Sequence, residues 1–208
     1  MTNLPSVQAF WYARQSRILL LTRLYSTITM LRLRSKGVQV GHGLNVYGWV
    51  NLSIHPTSTV FLGNEIRLNS SFARNAVGAY QKLGLQINAQ AHLEIGDRVG
   101  ISNTTIVCAK QIVIEADVMI GGGCALYDTD FHLLDPERRH QKPQDERAAT
   151  APIIIGKNSF IGGHSIILKG VTIGEGAIIG AGSVVTRNVP SYEIWAGNPI
   201  RHIRSLRE

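Results

Sequence analysis

Residues 155–185 read IGKNSFIGGHSIILKGVTIGEGAIIGAGSVV, and an aliphatic side chain returns at every sixth place: Ile155, Ile161, Ile167, Ile173, Ile179 and Val185. Four places after each of the first five stands a small or β-branched residue: Ser159, Ser165, Val171, Ala177 and Ser183. Glycine follows the aliphatic at Gly156, Gly162, Gly174 and Gly180. A helix would repeat its apolar positions at three and four residues, and an ordinary strand at two. A strict period of six describes short flat strands joined by sharp turns. Such strands wind into a three-sided prism whose interior takes one large and one small side chain per turn, with successive coils paired at about 4.8 Å.

Outward from this stretch the period continues with interruptions. Val40, Val46 and Leu52 are six apart, as are Leu62 and Leu68, then Ile95, Ile101 and Val107, then Ile114, Ile120 and Leu126. Residues 73–86 and 127–152 break the pattern and read as loops leaving the prism. Residues 1–37 form a different segment, in which Trp11, Leu19, Leu20, Leu24 and Leu31 alternate with Arg14, Arg17, Arg23, Arg32, Arg34 and Lys36. One or two basic amphipathic helices are expected there, suited to an anionic membrane surface or to packing on the prism base or a neighbouring subunit. The expected organisation is therefore a helical segment over 1–37, a β-helix over 38–186 with its loop at 127–152, and a tail over 187–208 with a short helix at Arg201–Arg207.

The composition fits one globular domain: 208 residues, 44% hydrophobic and 17% charged. The net charge of +7 points to an anionic partner. No apolar run approaches the roughly 20 residues of a membrane span, and the N-terminus lacks a secretory-signal pattern. Cys108 and Cys124 make no disulfide framework, and Cys124 falls on a small inward position, so a buried free thiol in a reducing cytoplasm is expected.

The motifs IGKNSFIGGH (155–164), GVTIGEG (170–176), IGAGSVVT (179–186) and AGNPIR (196–201) resemble the left-handed β-helix hexapeptide-repeat acyltransferases. The branch they resemble is that of the galactoside, maltose and nodulation-factor acetyltransferases and the polysaccharide O-acetyltransferases. The fold expected is thus all-β, with a left-handed winding that the resemblance supplies and the spacing does not. The resemblance also implies a homotrimer with active sites between subunits, acetyl-coenzyme A as co-substrate, a saccharide acceptor, no metal and no nucleic acid.

In the loop, YDTDFHLLDPERRHQK (127–142), the run His132-Leu-Leu-Asp135-Pro with Arg138 or Arg139 downstream resembles the family's catalytic-histidine loop. Long loops inside compact repeat arrays tend to be functional. Carried over, His132 is the general base. A hydroxyl attacks a thioester poorly unless its proton leaves as it attacks, and an imidazole that ordinarily titrates near 6.5 suits that work. Its second nitrogen needs an orienting partner: Asp130, two residues away on the same face, Asp128 if the loop curls, or a backbone carbonyl. His140 sits in the polar middle of the loop and is expected to be solvated.

On the coenzyme side a slim pantetheine arm needs small residues, and Gly162-Gly163 and Gly180-Ala181-Gly182 supply them. By resemblance the Gly163 amide is an oxyanion donor, His164 lines the coenzyme side, Thr186 and Arg187 contact pantetheine and adenine, and Arg201 and Arg204 meet the 3′-phosphate. Asn103 matches an asparagine that touches the acceptor hydroxyl. Phe160 stands where the family usually has tryptophan. The reading is acetyl transfer to a sugar or surface-glycan hydroxyl, in the cytoplasm or at the inner membrane surface. The alternative is N-acetylation of an amino sugar or antibiotic, as in the related xenobiotic acetyltransferases. A zinc carbonic anhydrase on the same prism needs three histidines, two of them close in sequence, and a trimeric scaffold without catalysis needs none.

Overall fold

The computed structural model describes residues 7–139 and 148–207. Three faces wind around one core in six coils. The first face stacks Gln39–Val40, Thr59–Leu62, His92–Ile95, Gln111–Ile114, Ile153–Ile155 and Thr172–Ile173. The second stacks Asn45–Tyr47, Arg67–Asn69, Gly100–Ser102, Met119–Ile120, Phe160–Ile161, Ile178–Ile179 and Glu193–Ala196. The third stacks Asn51–Ile54, Gly84–Ile87, Thr105–Cys108, Ala125–Tyr127, Ile166–Leu168 and Val184–Val185. All these pairings are parallel, and the hexad aliphatics lie on one another: Leu62, Ile95, Ile114, Ile155 and Ile173 on the first face, and Leu68, Ile101, Ile120, Ile161 and Ile179 on the second.

Strands of two to four residues cannot stand alone. They hold because each contributes a buried aliphatic worth about 1.5–3 kcal/mol and pairs with coils on both sides. The small position is buried too, and its serines have a reason to be there. Ser159 Oγ donates to the Gly156 carbonyl at 2.6 Å, and Ser183 Oγ donates to the Gly180 carbonyl at 2.6 Å. These hydroxyls satisfy turn carbonyls that face the core. Cys124 occupies the same kind of position, fully buried and unpaired, its Sγ 3.3 Å from the Gly162 carbonyl.

Three expectations are corrected. On the third coil the inward residue is Ile106, which pairs with Leu85 and Leu126, and not Val107; the chain shortens by one residue at Asn103, whose φ is 39°. The C-terminal residues form a strand, Arg201–Ser205, antiparallel to Glu193–Ala196, and not a helix. An isolated helix of seven residues is marginal, whereas the last strand of the second face offers a row of unpaired backbone groups that the returning tail satisfies. The N-terminal segment is a single helix, Val7–Arg34, and its apolar pattern is inverted. Thr22, Thr29 and Leu33 are buried on the prism base, and Ser26 Oγ accepts the Val46 amide at 2.9 Å. Leu20, Leu24 and Leu31 face outward. The C-terminal half of the helix thus caps the first coil, with Tyr25 and Met30 packed on the core. Among the described residues no helix is long and apolar enough to cross a membrane. His140 lies outside the described residues.

Candidate active site

The loop that follows Tyr127 leaves the edge between the third and first faces. Its base is closed by the antiparallel bridge Thr129–Thr150, by the Asp130 amide donating to the Ala149 carbonyl, and by the Ala151 amide donating to the Asp128 carbonyl. Beyond this base the His132 amide donates to the Asp130 carbonyl at 2.7 Å, around Phe131 at φ 63°. That is a γ-turn with a bulky residue in the left-handed region, a geometry stored mainly at functional sites. Phe131 is braced edge-on by Tyr127, 5.1 Å between ring centroids. Arg139 donates to the carbonyls of Leu133 and Leu134 at 3.1 and 3.0 Å, which fixes the following turn. His132 is exposed at the outside of this edge.

The two aspartates have separate roles. Asp128 is fully buried and accepts the amides of Ala109, Lys110 and Gln111 at 2.6, 2.8 and 2.8 Å. Its carboxylate closes the turn of the coil below, a structural duty beyond the one expected of it toward His132. Asp130 Oδ1 meets Lys169 Nζ at 3.3 Å, and its Oδ2 is buried with no hydrogen-bond partner among the described residues. Lys169 carried no sequence signal. It is a turn lysine one coil up, and stacking alone brings it here.

Gly162, Gly163, His164 and Ala181 lie on a different edge, between the second and third faces. Coils approach closely here: a Cβ on Gly162 would meet the Ala181 amide nitrogen at 2.5 Å. Among the described residues none accepts a hydrogen bond from the Gly163 N–H. Residues 70–83 fold over this same edge; the interruption expected at 73–86 is displaced by three residues, because Gly84–Ile87 already pairs as a strand of the third face. Gly78 lies against Gly122 and Gly123, and Val77 Cγ1 would lie 3.0 Å from a Cβ on Gly163. Tyr80 stacks on His164 at 6.0 Å with its hydroxyl 3.4 Å from Nδ1. Asn103 is buried beneath, its side-chain Nδ2 donating to the carbonyls of Asn75 and Val77 at 3.3 and 3.0 Å while its backbone carbonyl accepts Gln81 Nε2 at 2.6 Å; its side-chain Oδ1 is buried with no hydrogen-bond partner among the described residues. It anchors the excursion. Val77, Gly78 and Tyr80 were missed from the sequence. The signal that could have found them is the pairing of Gly78 with Gly122-Gly123, since backbones that touch require glycine.

Thr186 and Arg187 follow the last strand of the third face and so stand on the His132 edge, both exposed. Arg201 and Arg204 are exposed on the returning strand at the end of the second face. Within one chain the other named residues therefore form two groups on two edges of a triangular prism, with Arg201 and Arg204 apart from both on the second face. Among the described residues no cluster of three or more His, Cys, Asp or Glu could hold a metal.

Residues 152–187 match the family model described as the hexapeptide repeat of succinyl-transferase. The galactoside O-acetyltransferase of Escherichia coli is 36% identical over 106 residues, covering 51% of this chain and 50% of that protein. The matches span between 33 and 58% of the length of these curated relatives. A solved hexapeptide-repeat acetyltransferase from Vibrio cholerae is 25% identical, with a TM-score of 0.60 over 99% of this chain and 96% of that one. A galactoside acetyltransferase solved in complex with coenzyme A is 27% identical, with a TM-score of 0.50 over 80% of this chain and 66% of that one. The stacked hexads, the parallel three-faced coil and the sequence likeness across the repeats make this a hexapeptide-repeat chain similar to the acetyltransferases built on that repeat.

Proposed function

We propose that the protein transfers an acetyl group from acetyl-coenzyme A to a hydroxyl of a saccharide, with His132 as general base, in a site built between two subunits of a trimer. The observation that carries this reading is the division of the site residues between two edges. His132, Thr186 and Arg187 stand on one, and Gly162, Gly163, His164 and Ala181 on the next. In a ring of identical prisms related by a threefold axis, one edge of each subunit faces a different edge of its neighbour. Two half-sites then meet that no single chain can close.

The chemistry follows from the groups present. The imidazole of His132 takes the hydroxyl proton as the oxygen attacks the thioester carbonyl, and such a base contributes about 10²–10⁴-fold. The negative charge that forms on the carbonyl oxygen is met by the Gly163 N–H, a fixed donor of the kind whose loss costs about 10²–10³-fold. The tetrahedral intermediate collapses by breaking the carbon–sulfur bond, and the sulfur takes the proton from the imidazolium. The orphaned Asp130 Oδ2, anchored through Lys169, is the acceptor nearest in sequence for holding the imidazole tautomer. Galactoside O-acetyl transfer by the Escherichia coli relative supports a hydroxyl acceptor.

The test is complementation between two inactive variants, His132→Ala and Gly163→Trp, with release of free coenzyme A thiol as the readout. Each alone should lose turnover. Mixed, dissociated and reassembled, random assortment gives about a quarter of the sites both intact halves, so activity should return to about that fraction. No recovery in reassembled trimers would refute the shared site, and turnover by His132→Ala alone would refute the base.

A further inference from the structure

A cavity of about 410 Å³ lies on the outer surface of the second face, beside the 70–83 excursion, with Tyr47, Arg67, Asn69, Arg74, Ser102 and Phe160 in its walls. Strand register sets its long axis. Arg67 pairs with Gly100, Gly100 with Met119, and Met119 with Phe160, so at about 4.8 Å per strand the groove runs roughly 14 Å. Gly100 opens its floor: a Cβ there would meet nothing within 4 Å. Its φ lies outside the left-handed region, so backbone geometry does not require glycine at this place. The other end reaches Gly121, whose Cβ would lie 2.6 Å from the Gly163 amide nitrogen. The groove thus leads from a basic end to the edge that carries the proposed oxyanion donor.

Its charge is one-sided. Arg67 and Arg74 both line it, and among the described residues neither is paired with a carboxylate. Two acids, Glu65 and Asp117, line the neighbouring cavity that Arg67 also borders. Asp117 is held there by Arg98 at 2.6 Å. Arg74 lies with its guanidinium 4.5 Å from the centroid of the Tyr47 ring, a cation–π contact that neutralises no charge and so leaves the guanidinium available to an anion. Two uncommitted guanidinium groups above a polar wall of Asn69 and Ser102, with aromatic surface at both ends, suit a saccharide bearing an acidic group.

We propose that this groove binds the acceptor and that the acceptor is an anionic saccharide, its acidic group on Arg67 and Arg74 and its reactive hydroxyl directed toward the Gly121–Gly163 edge. The inference rests on the transferase reading above and narrows its substrate class. Phosphate and carboxylate share this recognition chemistry, and the test separates them. The intact protein is titrated calorimetrically with glucose 1-phosphate, glucuronate and glucose. The expected result is that at least one acidic sugar binds about tenfold or more tighter than glucose, as fits charge-assisted hydrogen bonds. The tighter of the two names the acidic group. Arg67→Gln and Arg74→Gln should each weaken that binding about tenfold. Gly100→Val should close the groove, with thermal unfolding as the check that it folds, and all three should keep coenzyme A affinity. Equal binding of glucose, or full binding by a folded Gly100→Val variant, overturns the inference. Tight binding of an acidic sugar with no thiol release from any acceptor would instead sink the transferase reading, and thiol release with neutral sugars alone would sink only the charge preference.

Discussion

Asp128 tests whether structure or sequence proximity decides a residue's role. Its carboxylate accepts three backbone amides at 2.6–2.8 Å while fully buried. A hydrogen bond to a charged group contributes about 1.5–3 kcal/mol net, and deleting the acceptor also strands its donors. Ala109 and Gln111 are half-buried and Lys110 is exposed, so water recovers part of the loss in an Asp128→Ala variant. Three bonds at the low end, discounted for that hydration, give about 3–4 kcal/mol. For a domain of 150–250 residues this lowers Tm by roughly 6–16 °C. Asp128→Asn should fall between, because the amide keeps one acceptor and turns an N–H₂ toward a backbone donor. Scanning calorimetry on both variants reads the effect, and kcat at a temperature where each is folded reads the chemistry. Tm within 2 °C of the parent, together with a large fall in kcat for Asp128→Asn, would refute the reasoning and return Asp128 to His132.

Two further outcomes follow from the core. Ile161→Ala removes a fully buried side chain from the middle of the second face and should cost about 2–5 kcal/mol in denaturant unfolding. Its outward neighbour Phe160, 40% exposed, should cost within about 1 kcal/mol when cut to alanine, and equal losses at the two sites would contradict the inside–outside assignment. Burial pushes the thiols of Cys108 and Cys124 upward, and the carboxylate of Asp128 pushes Cys108 further. Because the folded values are raised, the stability linked to them is complete below the unfolded value near 8.5. It declines as pH rises through and beyond that value toward the folded ones. Native protein at pH 8 should therefore leave a thiol-directed chromogenic reagent unreacted, with both thiols titrating after unfolding and stability falling between pH 8 and 10. Prompt native-state reaction would show that the hexad interior is open.

How much of this was legible before folding depends on the range of the interaction. The period of six is a local code, since each strand must present one aliphatic and one small side chain to the axis, and so the coil, its faces and the buried Cys124 could be read from residues 155–185 outward. The resemblance located the His132 loop in the same way. The C-terminal strand was not legible, because a basic run of seven residues has no strong local preference and only the open edge of the last coil decides for pairing. The N-terminal helix was legible as a helix but not in its orientation, because Thr22, Ser26 and Thr29 are drawn inward by the base of the prism against the ordinary ranking of leucine over threonine.

The sequence by itself determined the repeat, and with it a prism whose core positions follow from counting, because sixfold spacing leaves a chain no other economical way to bury its aliphatics. Only the tertiary structure decided which residues share an edge. Stacking sets Lys169 beside Asp130, lays Val77 and Tyr80 over Gly163 and His164, turns Asp128 into the clasp of the coil below, and separates His132 from the glycine edge by one face of the triangle. Those relations join residues from different coils, and the spacing between coils is fixed by backbone hydrogen bonds that no local run of sequence encodes.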